Sequence, residues 1–262
     1  MQLIDTDDNV LLDAALSVAY YNLNGGKPVF ASRSEARVIS AELNFIDENN
    51  DFERTSTGTG GAYITHATFD EPGDWGAEIT IIRNGDTTVI PYRFNVREES
   101  LEPAIGDPAP PSVQATTATE PIAEIDSSFP FRDALHTTTV ADALQTGKPV
   151  VIAFATPAFC RTRTCGPVLD LVIDPLFLQY GDDAVFIHIE PYLLRDVRQT
   201  NVQNPVPAVL EWRLQSEPWI FVVGPDGRIA AKFEGIIALD EVESALQPLL
   251  VESAGPTTPA TP

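Results

Sequence analysis

The chain has 262 residues, of which 44% are hydrophobic and 21% charged, a composition that supports packed cores and is long enough for two domains. Its 38 acidic against 16 basic residues leave a net charge of −22, which repels nucleic acid and anionic lipid and excludes both as partners. No run of about 18 apolar residues is present, so no membrane span is expected. The acidic start, Met1-Gln2-Leu3-Ile4-Asp5, does not read as a leader. An extracytoplasmic chain in mature or trimmed form, or otherwise a cytoplasmic one, fits that start.

Residues 1–97 show short alternating runs divided by turn chemistry rather than amphipathic helices. The strongest hairpin signal is Gly76–Ile82, then Asn84-Gly85, then Thr87–Val96, because both Asn and Gly tolerate positive φ. Tyr63–Phe69 ends at Pro72-Gly73 and delivers Trp75 to the next strand, where a large ring can fill the gap between two sheets. This pattern predicts an all-β sandwich and resembles bacterial immunoglobulin-like domains. His66 sits in strand alternation with Ile64 and Thr68 and reads as a surface or hydrogen-bonded histidine, without chemistry.

Residues 98–128 are rich in Pro, Thr and Ala and read as a stiff linker. Within them Gly106-Asp107-Pro108-Ala109-Pro110 looks like the lead-in of redoxin-type domains. Residues 253–262 read as a disordered tail. Between these lies a second domain, 129–252. Its order is a short helical piece at Thr139–Leu144, a buried strand at Val150–Ala155, and a helix reaching about Leu178. A strand follows at Ala184–Glu190, then a hairpin at Trp219–Gly235 turning at Pro225-Asp226-Gly227, and a helix at Leu239–Leu250.

The two cysteines, Cys160 and Cys165, stand between the first strand of this domain and its following helix. Arg161 and Arg163 can favour a thiolate, and Pro167 suits the first turn of a helix, which puts Cys165 near the N-cap. Cys160 is then the more reachable sulfur and is assigned as the attacking thiol, with Cys165 resolving, although the helix terminus favours the opposite order. A static disulfide stapling the corner, in a binding or adhesion module, remains open beside redox exchange. Residues five apart on a regular helix have Cα atoms roughly 8–9 Å apart, beyond the ~7 Å a disulfide spans. Cys160 therefore belongs to a loop if the two are ever bonded.

The segment from about 130 to 252 resembles the thioredoxin-like superfamily, through the strand–cysteine–helix order and through Glu217-Pro218-Trp219-Ile220-Phe221-Val222-Val223-Gly224-Pro225-Asp226-Gly227-Arg228. The resemblance implies an α/β thioredoxin-like fold and a cis Glu217–Pro218 bond. It also implies a substrate groove framed by Thr156, Pro157, Glu217, Pro218 and Trp219, and exchange with protein thiols or disulfides, with no cofactor. The Cys-x4-Cys spacing departs from the Cys-x2-Cys of thioredoxins. It is nearer to one branch of peroxiredoxins, whose threonine three residues before the reactive cysteine is replaced here by Pro157. A Sco-like copper carrier would add a histidine to the cysteines, and His188 is the candidate, but it alternates with Phe186 along a core strand and reads as structural; no metal is assigned. Glu190 and Glu217 are carboxylates that could shuttle protons for the thiols.

Overall fold

The computed structural model describes residues 1–6, 9–44, 56–160 and 164–253. Its contacts divide the described residues into two compact units: Met1–Leu43 with Ser56–Ser100, and Leu101 onward.

The first unit contains β1 (Ala15–Asn22), β2 (Val29–Glu35), β3 (Arg37–Asn44), β4 (Ser56–Ile64), β5 (Gly73–Arg83) and β6 (Asp86–Val96). Four of these form an antiparallel sheet in the order β2-β1-β5-β6, and β3 pairs with β4 as a separate two-stranded ladder. The β5–β6 hairpin closes at Arg83↔Asp86, with Asn84 at φ 53° and Gly85 at φ 87°. Both turn positions lie in the left-handed region, which is why Asn-Gly occupies them.

Trp75 is buried, meets Phe69 edge-on at 4.9 Å, and donates its indole N–H to the Glu71 carbonyl at 3.1 Å. The core beside it is small: Leu16, Val18, Tyr63, Ala77 and Ile81. The immunoglobulin-like sandwich is therefore corrected. Those residues come from β1, β4 and β5, whereas β2 and β6 are exposed along most of their length and do not line an interior between two facing sheets. Val89, Ile90 and Tyr92 supplied an apolar pattern but stay exposed on the outer strand. His66 lies past the end of β4, exposed, with its backbone N–H on the Ser34 hydroxyl.

In the second unit the elements are α1 (Ile122–Ile125), a 3-10 turn (Asp133–His136), α2 (Val140–Ala143), β7 (Val150–Phe154) and α3 (Cys165–Val168). Next come a π-helical turn (Leu169–Ile173), α4 (Asp174–Tyr180), β8 (Val185–Ile189), α5 (Leu194–Thr200), α6 (Pro207–Glu211), β9 (Trp219–Val223), β10 (Ile229–Glu234) and α7 (Leu239–Ser253). One sheet in the order β10-β9-β7-β8 holds it together, parallel between β7 and β8 and antiparallel elsewhere.

β7 and β9 are buried at every residue, so each reads as a continuous apolar run. Their residues alternate between two cores. Val151, Ala153, Ile220 and Val222 pack with Cys165, Leu169, Ile173 and Val242. Ile152, Phe154, Trp219 and Phe221 pack with Val140, Ala208 and Trp212.

The α/β thioredoxin-like class expected for this half is corrected as well. Regular structure across the described residues is mostly β, in two four-stranded sheets and one two-stranded ladder. The helices other than α7 have four to seven residues. Proline is one reason: Pro175 and Pro207 begin new helices at their first turns, and Pro191 and Pro205 occupy the connection between β8 and α6. The apolar-periodic stretch after Cys165 is likewise three short pieces joined through a π turn.

Of residues 98–128, which read as a linker, those from Leu101 on belong to the second unit and bond within it. Gly106 N–H bonds the Ile229 carbonyl at 2.8 Å, Ile229 N–H the Asp107 carbonyl at 2.9 Å, and Ala109 N–H the Gly227 carbonyl at 2.9 Å. Ser112 and Thr116 are buried, and the Trp212 indole N–H donates to the Ser112 hydroxyl at 3.1 Å.

Candidate functional site

β7 delivers Ala155 and Thr156 to the cysteine corner. Ala155 N–H reaches the Ile189 carbonyl at 3.2 Å and so extends the parallel pairing one residue beyond the strand. The turn that follows is tied on three sides. Phe159 N–H bonds the Thr156 carbonyl at 3.2 Å, Ala158 N–H the Ser127 hydroxyl at 3.2 Å, and the Gln203 side-chain amide the Phe159 carbonyl at 2.9 Å.

Cys160 emerges half-buried from this turn, outside any helix, and Cys165 opens α3, buried. They are not bridged. Burial pushes the Cys165 thiol far above the usual thiol range. Its hydrogen bond to Cys160 and the negative charges of Cys160 and Glu217 add to this, and the Thr156 backbone N–H opposes it. Cys165 thus keeps its proton and donates it toward Cys160, the less buried residue of the pair. Arg161 and Arg163 lie outside the described residues.

The expected groove residues divide. Thr156 is buried under the thiols, and Pro157 sits half-buried in the turn. Glu217 accepts the Tyr192 hydroxyl at 2.6 Å and is felt by Cys165. Pro218 is buried, follows a cis bond, and offers its carbonyl to Gly235 N–H at 2.9 Å. Trp219 belongs to the opposite core, stacked on Phe221 at 5.5 Å with its N–H on the Ser216 hydroxyl. Strand alternation sends it away from Cys165.

On the cysteine side of the sheet lies a buried polar cluster built from three distant segments. His188 pairs in register with Ala153 and donates Nε2–H to the Ala155 carbonyl at 2.8 Å, which leaves Nδ1 as the ring's acceptor. His136, in the 3-10 turn and 52 positions away in sequence, lies with Nε2 at 3.0 Å from that Nδ1 and 3.5 Å from Asp126 Oδ2. Burial, then the neighbouring His136, depresses the His188 imidazole to about 4, so it is neutral at pH 7.

Asp126 is itself buried. Its Oδ1 accepts Ser128 N–H at 2.7 Å and the Ser128 hydroxyl at 2.5 Å, and its Oδ2 accepts Arg132 N–H at 2.8 Å. Burial pushes this carboxyl up, but the donors and histidines around it outweigh that and hold it well below the carboxylate range. Glu190, two residues beyond His188, is pushed up to about 8 by burial. Its Oε2 accepts Ser127 N–H at 3.1 Å, while Oε1 and the nearby Thr156 Oγ1 are buried with no hydrogen-bond partner.

Sequence reading singled out His188 and Glu190 but missed Asp126 and His136. Asp126 sits in a stretch whose composition says linker, and no spacing rule joins it to residues 10 and 62 positions further on. No family model and no curated protein matches this chain.

Proposed function

We propose that Cys160 and Cys165 form a dithiol that exchanges with the disulfides and thiols of other proteins. The observation that supports this is the asymmetry of the pair: a buried thiol that holds its proton and directs it at the half-buried Cys160. Cys160, as thiolate, attacks one sulfur of a partner disulfide. A mixed disulfide forms and the partner's other sulfur leaves as a thiolate, which takes up a proton. Cys165 then attacks Cys160 Sγ, loses its proton to solvent, and expels the partner's remaining sulfur. Two electrons pass to the partner, and the pair ends as a Cys160–Cys165 disulfide; the same steps run backward when the partner is the reductant.

The anchored turn at Thr156–Phe159 supports the reading, because it holds the attacking sulfur at a fixed exit. The exposed rings of Phe129 and Phe131, on a groove that Phe159 also lines, offer apolar surface for a protein partner.

The test is trapping. Cys165→Ser protein treated with a reduced-then-oxidised insulin substrate accumulates a mixed disulfide at Cys160, seen by mass spectrometry. Cys160→Ser traps nothing, and wild type passes through without accumulation. A wild-type pair whose disulfide resists millimolar glutathione, together with no trapping by Cys165→Ser, overturns the exchange reading in favour of a static staple.

A further inference from the structure

We propose that Asp126, His136 and His188 form a binding site for one divalent transition-metal ion of the zinc(II) type, open to the cavity beside it. This inference is independent of the thiol chemistry.

The ligand atoms converge. His136 Nε2 is 3.0 Å from His188 Nδ1 and 3.5 Å from Asp126 Oδ2, and His188 Nδ1 is 3.8 Å from Asp126 Oδ1. A tetrahedral ion about 2.1 Å from nitrogen and oxygen ligands separates those ligands by roughly 3.4 Å, and one ligand atom from each of the three residues lies within 4.8 Å of the other two. Each ligand rides on a separate, fixed piece of chain: β8, the 3-10 turn, and a loop that Ser128 and Arg132 bond back onto the carboxylate.

The outer contacts suit a metal too. The bond from His188 Nε2–H to the Ala155 carbonyl is the kind that fixes the tautomer of a ligating histidine and turns its other nitrogen toward the ion. His136 becomes a ligand by moving its proton from Nε2 to Nδ1. Two imidazoles with one carboxylate favour a borderline ion over magnesium or calcium, which take oxygen.

Access and charge point the same way. Both histidines line a cavity of about 380 Å³, whose walls among the described residues also carry the carboxylates of Glu120, Glu124, Asp196 and Glu211 against one arginine, Arg195. Such a wall concentrates cations at the entrance. The competing arrangement is a closed hydrogen-bonded triad, which needs no ion.

The experiment uses the full chain carrying Cys160→Ser and Cys165→Ser, stripped with EDTA and titrated with zinc chloride by calorimetry and with cobalt chloride by visible absorption. One ion per chain is expected, with at least about tenfold weaker binding in the same protein carrying His136→Gln. No saturable binding below millimolar zinc, or undiminished binding by a folded His136→Gln protein, overturns the site. If His136→Gln does not fold, X-ray absorption of the zinc-loaded protein decides. Scattering from two imidazole rings is expected, and a shell of oxygens alone overturns the proposal.

Discussion

Cys165 has a hydrophobic shell on most sides and a negatively charged neighbourhood on the rest, so its proton is held by two effects acting in one direction. Its folded value lies above its unfolded one. The stability it contributes is therefore fully present below the ordinary thiol range and is lost as pH rises above it, where the unfolded chain ionises first. Two outcomes are expected. In reduced wild-type protein, iodoacetamide labels Cys160 at least about tenfold faster than Cys165, and raising the pH from about 7 to about 9 leaves Cys165 largely unlabelled. Under urea, the stability advantage of wild type over Cys165→Ala shrinks between the same two pH values. Equal labelling of both cysteines in native protein would contradict the assignment of Cys165 as the buried resolving thiol.

At the scale of single elements, the β5–β6 hairpin is the clearest case of sequence dictating backbone. Gly85 at φ 87° has nothing near its missing Cβ, so Gly85→Ala introduces no clash and isolates the backbone cost. That cost is about 1 kcal/mol, expected as faster amide exchange across Gly73–Val96 with little change in the second unit. The same hairpin shows what was legible and what was not. Asn84-Gly85 announced the turn, but the apolar residues of β6 announced a core that is not there. Val89, Ile90 and Tyr92 stay exposed on β6, the last strand of its sheet. β7 and β9 were legible as five-residue apolar runs because both their faces are covered. The helix after Cys165 was legible in its start and not in its continuity. Asp170 and Asp174 both reach the Arg132 guanidinium, a long-range pairing that periodicity does not encode. For the same reason the corner thiols, five residues apart, were found, while the Asp126–His136–His188 cluster, assembled by the fold, was not.

For the molecule as a whole, the acidic balance and the two units set the expectations. No helix among the described residues is long and apolar enough to cross a membrane. The stretch after Ser100 is bonded along the start of β10, so its proline content alone does not make it an exposed tether. Limited digestion with a glutamate-specific protease is expected to cut first at Glu98 or Glu99 and leave a resistant fragment beginning near residue 100. First cleavage by thermolysin inside 106–116 of the native chain would contradict this. The placement of the three tryptophans then has a practical consequence for watching the chain unfold. Trp75 is in the first unit, while Trp212 and Trp219 are in the second, and all three are buried. Each half thus carries its own fluorophore. In Trp75→Phe protein the indole emission comes from the second half alone, and the difference from wild type isolates the first. The Trp212 contribution is also sensitive to Ser112, the hydroxyl that its ring N–H touches, so one optical signal reports whether the proline-rich stretch is still docked.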